Sequence, residues 1–340
     1  MASKATNPAW FWALLGVPER AEGETFDLRG ETFVVKGGIP RSARLHSATQ
    51  AQTSDAFGFK WAKRDTFESD QGRARMREWL FERYGKVTQE PWFAEHGPEP
   101  VIVDAGCGAA LSAIELFGDA LKKIHYVGVD VSTACEVAAA RFSEMGYPGA
   151  FVQADLGRLP FAPGTVDMVF SEGVLHHTDS TENALTAVSK LLKPGGRIMF
   201  YVYKKKGPIR EFTDDYVRDK MQKMTPKDGW EAMLPLTKLG IALGKLDAEI
   251  EIPEAIDLLE IPAGKINVQR LFYWHVFKAF YREDHTVDEL NHINFDWFAP
   301  SNAHRQTPEQ VRGWCANNGL VVERESVQEA GMTIIAKKTA

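Results

Sequence analysis

Between residues 96 and 203, short apolar runs alternate with helical patterns, and this alternation constrains the fold more than any other feature of the chain. Val101-Ile102-Val103, Tyr126-Val127-Gly128-Val129, Phe151-Val152-Gln153-Ala154, Asp167-Met168-Val169-Phe170 and Arg197-Ile198-Met199-Phe200-Tyr201-Val202 read as strands. Helical patterns lie between them. One of these, over residues 179–192, stops at Lys193-Pro194-Gly195-Gly196. Strands joined through helices demand a parallel sheet with helices on both faces. Strands with so few charges fit burial on both sides.

The flanks divide the rest. Residues 1–95 are an N-terminal extension or lid. They hold an aromatic start (Trp10, Phe11, Trp12), a strand at Glu31–Lys36 closed by Gly37-Gly38-Ile39-Pro40, and the aromatic stretch Phe57-Gly58-Phe59-Lys60-Trp61. Apolar groups then recur at helical spacing over residues 70–85. Residues 204–305 break the alternation, and a structureless loop of that length is improbable. A helical insert that forms the acceptor site is the expectation. Thr307-Pro308 opens a helix that Gly319 ends, and two alternating runs near 321–337 make a final hairpin, so 306–340 rejoins 96–203 as one core.

Composition excludes several classes of function. Lys+Arg 40 against Asp+Glu 46 gives a net charge of −6, which disfavours a nucleic-acid binder that relies on bulk positive charge. Three cysteines without a CxxC pair build neither a disulfide framework nor a zinc site, and a reducing cytoplasm is the expected location. The start, residues 1–8, lacks a signal peptide's basic and apolar regions, and no window is long and apolar enough to span a membrane. His285, Asp288 and His292, with Asp296 and His304, have spacings that a metal would accept, but ordinary surface residues explain them and no metal is expected.

The sharpest chemical signal is Val101-Ile102-Val103-Asp104-Ala105-Gly106-Cys107-Gly108, a strand running into Asp-x-Gly-x-Gly and then a helix. A dinucleotide fingerprint needs Gly or Ala at position 111, where Leu111 stands, and no phosphate-cradling Gly-Lys-Ser/Thr motif is present. Asp104, Asp130 and Asp155 close three successive strands. Carboxylates at strand tips repel a pyrophosphate but suit a ribose and a positive charge, so an adenosine bearing a sulfonium, S-adenosylmethionine, fits.

With Leu159-Pro160-Phe161, Phe170-Ser171-Glu172-Gly173-Val174-Leu175-His176-His177 and Leu191-Leu192-Lys193-Pro194-Gly195-Gly196 added, the chain resembles the class I S-adenosylmethionine-dependent methyltransferases over residues 100–203, and especially the group similar to ubiquinone/menaquinone-type enzymes. The resemblance implies a Rossmann-like, seven-stranded, mostly parallel, doubly wound sheet with an antiparallel last strand. It implies that Gly106 and Gly108 lie against the methionine moiety with Asp104 nearby. Asp130 would hold the ribose, Asp155 the adenine amino group, and Ser171 and Glu172 the floor. Cys107, Val131 and Leu156 complete the cofactor set, and S-adenosylhomocysteine is the product.

For the acceptor, His176 and His177 follow the fourth strand as candidate bases, against the plain alternative of packing beside the sheet. Tyr201, Tyr203, Arg210, Tyr273, Trp274 and His275 are the candidate substrate residues, against the alternative that the aromatic stripe is the insert's own core. A small-molecule acceptor is the first reading. RNA or protein methylation is the second, with Lys204-Lys205-Lys206, Arg210, Arg218 and Lys220 its only basic run, read here as a solvated surface. A non-catalytic cofactor-binding regulator is the third. The aromatic N-terminus is either a homodimer contact or a lid.

Overall fold

A computed structural model describes residues 7–44 and 46–339, so most of the leader region read above lies outside the described residues. Twelve strands are present among them: β1 (Thr25–Leu28), β2 (Glu31–Lys36), β3 (Ile39–Ser42), β4 (Val101–Ala105), β5 (His125–Asp130), β6 (Ala150–Gln153), β7 (Val166–Glu172), β8 (Leu192–Tyr203), β9 (Glu249–Ile252), β10 (Gly264–Asn267), β11 (Leu320–Val327) and β12 (Gly331–Lys338). Ten of them form one sheet in the order β1-β2-β3-β6-β5-β4-β7-β8-β12-β11, while β9 and β10 pair separately. From β3 to β8 every neighbour is parallel, and β12 runs antiparallel to β8. The fold is thus the expected doubly wound α/β sheet.

The strand count differs from seven. β1, β2 and β3 form an antiparallel meander that extends the β6 edge. Its junction is a single registered pair, Arg41 with Gln153, and β1 and β3 have four residues each. Pieces this short carry little periodicity, and Pro40 argues against a strand at all. Strand β8 also begins earlier than expected. It runs through Pro194-Gly195-Gly196, with the register against β7 shifting between Val166 and Met168.

Side chains of the parallel strands alternate between two packed faces. Val103, Val127, Val129, Val169, Ile198 and Phe200 join one apolar cluster, and Ile102, Tyr126, Met168, Phe170 and Met199 join the other. The N-terminal helix Ala9–Leu15 belongs to the first cluster through Phe11, Trp12 and Leu15. A third cluster joins the end of β8 (Tyr201, Tyr203) to the insert (Trp230, Met233, Phe295, Trp297, Phe298) and to Ala56.

That third cluster positions the site. The insert is helical, as expected, with helices Pro208–Met221, Pro226–Leu246, Val268–His275 and Val287–Phe298. Pro208 and Pro226 stand in the first turns of theirs, and Thr286 with Glu289 forms a capping box on the last. The β9–β10 ribbon was not foreseen from the sequence. The Phe57–Trp61 stretch lies in a helix, Ala48–Ala62, capped by Ser47. The strand order reverses at β4, between β5 and β7, and ligands of such sheets sit outside the carboxyl ends at that point.

Because Phe11 is fully buried in the sheet's own core, Phe11→Ala is expected to cost ~3–5 kcal/mol of stability in denaturant unfolding. A loss below about 1 kcal/mol would show that the helix does not share that core.

Candidate active site

At the reversal point the carboxyl ends of β4, β5 and β7 open into a cavity of about 510 Å³, within the ~300–1,000 Å³ range of pockets that bury a small ligand. Asp104, Gly106, Cys107, Gly108, Asp130, Val131, Asp155, Leu156 and Glu172 all line it. Ser171 does not: its hydroxyl donates to the Ala105 carbonyl at 2.8 Å inside the sheet. The floor expected at Ser171 is therefore a strand-to-strand tie.

The glycine loop is held from within. The amides of Gly106 and Cys107 donate to the Val129 carbonyl at 2.8 and 2.9 Å, and the Gly108 amide donates to Asp130 Oδ2 at 2.8 Å. Asp130 Oδ1 accepts from the Ser132 amide at 2.8 Å and its hydroxyl at 2.6 Å. The helix-capping alternative for Asp130 is thus partly realised, but Oδ2, with one bond, keeps a lone pair and the residue still lines the cavity. Gly106 needs its missing side chain. At φ +88° a Cβ would stand 2.1 Å from Val174 Cγ1.

Three loop amides bound internally leave a pyrophosphate no cradle from them. Carboxylates face the cavity instead. Burial pushes Asp104 up to about 7, against a 2.7 Å hydrogen bond from the Tyr126 hydroxyl. Burial also raises Asp130, with its three hydrogen bonds opposing. Asp155 accepts from the Gly157 amide at 2.7 Å, and its other oxygen lies 3.5 Å from His46. Burial raises Glu172, which accepts from Arg83 at 2.5 Å and from the Tyr84 hydroxyl.

The far half of the cavity is an aromatic chamber. Tyr201, Tyr203, Arg210, Tyr273 and Trp274 line it, together with Phe57, Trp61 and Trp297. His275 is absent from the lining, because the last turn of its short helix turns it away from Tyr273 and Trp274. Lys60, on the helix Ala48–Ala62, pairs with Asp296, on Val287–Phe298, and so fastens the N-terminal helix to the insert across the chamber. Burial alone would raise Asp296, but Lys60 and Lys278 hold its carboxyl well below the usual carboxylate range.

The two histidines part company. His176 is fully buried, lines no part of the cavity, and stacks on Tyr203 with ring centroids 3.7 Å apart. Burial holds it far below its ordinary range, and packing replaces the base expected there. His177 lines the cavity. Its Nδ1 lies 2.6 Å from the Asn302 carbonyl, which assigns the proton to Nδ1 and leaves Nε2 as the acceptor. Burial depresses it to about 4.

Other readings also change. The basic run is solvated only in part: Lys205 and Lys220 are exposed, but Lys206 and Arg210 are buried, and Arg218 is buried and bound to Asp215. Arg305 pairs with Glu211 and Asp215. No cluster of three metal-ligating side chains occurs among the described residues, nor is any described helix long and apolar enough to cross a membrane. Arg83, Lys278 and Trp297 were missed as site residues. A lone charge within Phe277-Lys278-Ala279-Phe280 was the available signal for Lys278.

The His177 geometry predicts a ring that stays neutral at pH 6 with its proton on Nδ1. Nitrogen-15 NMR of histidine-labelled protein reads this directly, and a ring titrating near its ordinary value would contradict it.

Comparison with known proteins places the same segment. The family description that matches, a methyltransferase domain, covers residues 103–200. An uncharacterized methyltransferase of Mycobacterium tuberculosis is 34% identical over 111 residues, which is 32% of this chain and 42% of that protein. A malonyl-(acyl-carrier protein) O-methyltransferase of Legionella pneumophila is 30% identical over 99 residues, 29% of this chain and 34% of that protein. The chain thus spans less than half the length of these curated relatives. A solved Burkholderia thailandensis 1,6-didemethyltoxoflavin-N1-methyltransferase is 14% identical with a TM-score of 0.45, covering 94% of this chain and 100% of that one. Residues 103–200, which carry the glycine loop and the strand-tip acids, match a methyltransferase domain.

Proposed function

We propose that this protein transfers a methyl group from S-adenosylmethionine to a small-molecule acceptor held in the aromatic chamber. One observation carries the reading: the glycine loop satisfies its own amides through Val129 and Asp130 while carboxylates face the cavity. That chemistry suits a ribose and a cation and offers a pyrophosphate little. The residues present therefore fit the cofactor. Asp130 would take the ribose and Asp155 the adenine amino group, with Asp104 near the methionine moiety.

The bound cofactor supplies an electrophilic methyl on its sulfonium sulfur. The chain's own contribution is alignment and exclusion of water. Holding two reactants in line contributes ~7–11 kcal/mol. The Lys60–Asp296 pair and the rings of Phe57, Trp61, Tyr203 and Trp297 wall the chamber. A chamber that is one part of a cavity of about 510 Å³ supports a small acceptor over a polynucleotide, as does the inward turn of Lys206 and Arg210. Where the acceptor starts as a protonated hydroxyl, His177 Nε2 is the group placed to receive the proton.

Two measurements test the reading. Asp130→Asn is expected to weaken S-adenosylhomocysteine binding by calorimetry by roughly 10–100-fold, the value of hydrogen bonds to a charged group, and unchanged affinity would contradict the assigned role. S-adenosylmethionine favours ionised Asp104, whose pKa near 7 reflects burial. Affinity should therefore climb as pH rises through 7 and level off above it. Asp104→Asn should flatten the climb, and a wild-type affinity that falls over that range would count against the placement.

A further inference from the structure

We propose that the acceptor is an anion, bearing a carboxylate or phosphate that sits against Lys278 Nζ with Arg210 as its second partner. The inference rests on the methyltransferase reading and names the substrate class of the same chamber.

Lys278 stands between the helices Val268–His275 and Val287–Phe298, is 8% exposed, and lines the cavity. Its backbone amide donates to Asp214 Oδ1 at 3.3 Å. Its ammonium makes no hydrogen bond or ion pair among the described residues, and Asp296 and Asp214 act on it only from a distance. It rests 4.8 Å from the centroid of the Trp297 ring. Arg210 and Lys206 crowd the same ring, at 5.2 and 5.9 Å. Arg210 is 1% exposed and binds Asp214 through Nε at 2.6 Å and the Tyr273 carbonyl through one terminal nitrogen. Lys206 has only the carbonyls of Glu329 and Ala330.

Charge does not close in this chamber. Asp214 serves Arg210 and the Trp297 Nε1–H, which donates to it at 2.7 Å. Asp296 serves Lys60. Lys206 and Lys278 remain without a carboxylate. A buried ammonium with no partner is costly, and the usual remedies are loss of the proton or an anion beside it. Burial, with the charge of Arg210 acting in the same direction, brings Lys278 down to about 8 and Lys206 to about 7, so both are poised to be held charged by an arriving anion. Tyr203 lies 4.4 Å from Trp297, centroid to centroid, and Tyr273 and Trp274 are adjacent in the lining. These rings suit an apolar body behind the anionic head. A cationic acceptor would be repelled.

A carboxylate reaches Lys278 from one of two sources, the acceptor or the methionine end of the cofactor, and the arms of the test separate them. Benzoate, benzamide and inorganic phosphate are titrated by calorimetry into the protein loaded with S-adenosylhomocysteine. Benzoate or phosphate should bind, with benzoate at least about tenfold tighter than benzamide. Lys278→Met should weaken anion binding about tenfold or more while S-adenosylhomocysteine affinity stays within about twofold, and Lys278→Arg, which keeps the charge, should restore the anion. Retained S-adenosylhomocysteine binding certifies that the variant is folded. Equal binding of benzoate and benzamide, binding of neither anion, or an anion affinity indifferent to Lys278→Met would each overturn the inference. Parallel loss of S-adenosylhomocysteine would overturn it in favour of the cofactor's own carboxylate. Wild-type protein that gives no heat with S-adenosylhomocysteine sinks the cofactor reading beneath it, which is a different failure from cofactor binding without anion binding.

Discussion

The carboxylate of Asp130 is the contact on which the site depends. It ends β5, binds the Gly108 amide on one side and Ser132 on the other, and so ties the glycine loop after β4 to the start of the next helix. Two parallel strands are thereby locked at their carboxyl ends by a side chain rather than by a ligand. The loop needs no anion to be ordered. What it presents to the cavity is acidic, and this decides the class of nucleoside the fold can hold.

Closure comes from elsewhere. The walls of the chamber come from the end of β8, with Tyr201 and Tyr203, and from two segments far apart in sequence, the helix Ala48–Ala62 and the insert between β8 and β11. Neither could enclose a cavity alone. The Lys60–Asp296 pair joins them, and Phe59 packs near Trp230 and Phe295 beside it, with ring centroids 6.2 and 5.9 Å apart. The ion pair is buried, so its stabilising worth depends on its surroundings, and its clearest role is to fix which helix faces which.

The sheet was legible because its strands are buried on both faces and its motifs are local: Val101–Gly108 is a strand, a turn and two glycines within eight residues, and Asp104, Asp130 and Asp155 each sit within two residues of a strand's carboxyl end. The insert was legible only as helical. Three things were hidden. Strands β1 and β3, which flank the strand read at Glu31–Lys36, have four residues each and join the sheet through one registered pair, too little to leave a pattern. Which histidine faces the cavity depends on a 3₁₀ turn at residues 175–177, and adjacent residues there take opposite fates. Lys206 read as surface charge, Arg210 both as surface charge and as a substrate candidate, and Lys278 carried no reading, because a linear sequence does not show that Trp297 gathers them. Burial of charge is a tertiary fact, and it was invisible until the insert folded against β8.

The central claim, a carboxylate-lined pocket for a sulfonium nucleoside, is tested most directly by calorimetry on the unmodified protein with S-adenosylhomocysteine and NAD in parallel. The account predicts saturable one-site binding of the first and none of the second. Heat from NAD with silence from S-adenosylhomocysteine would contradict it.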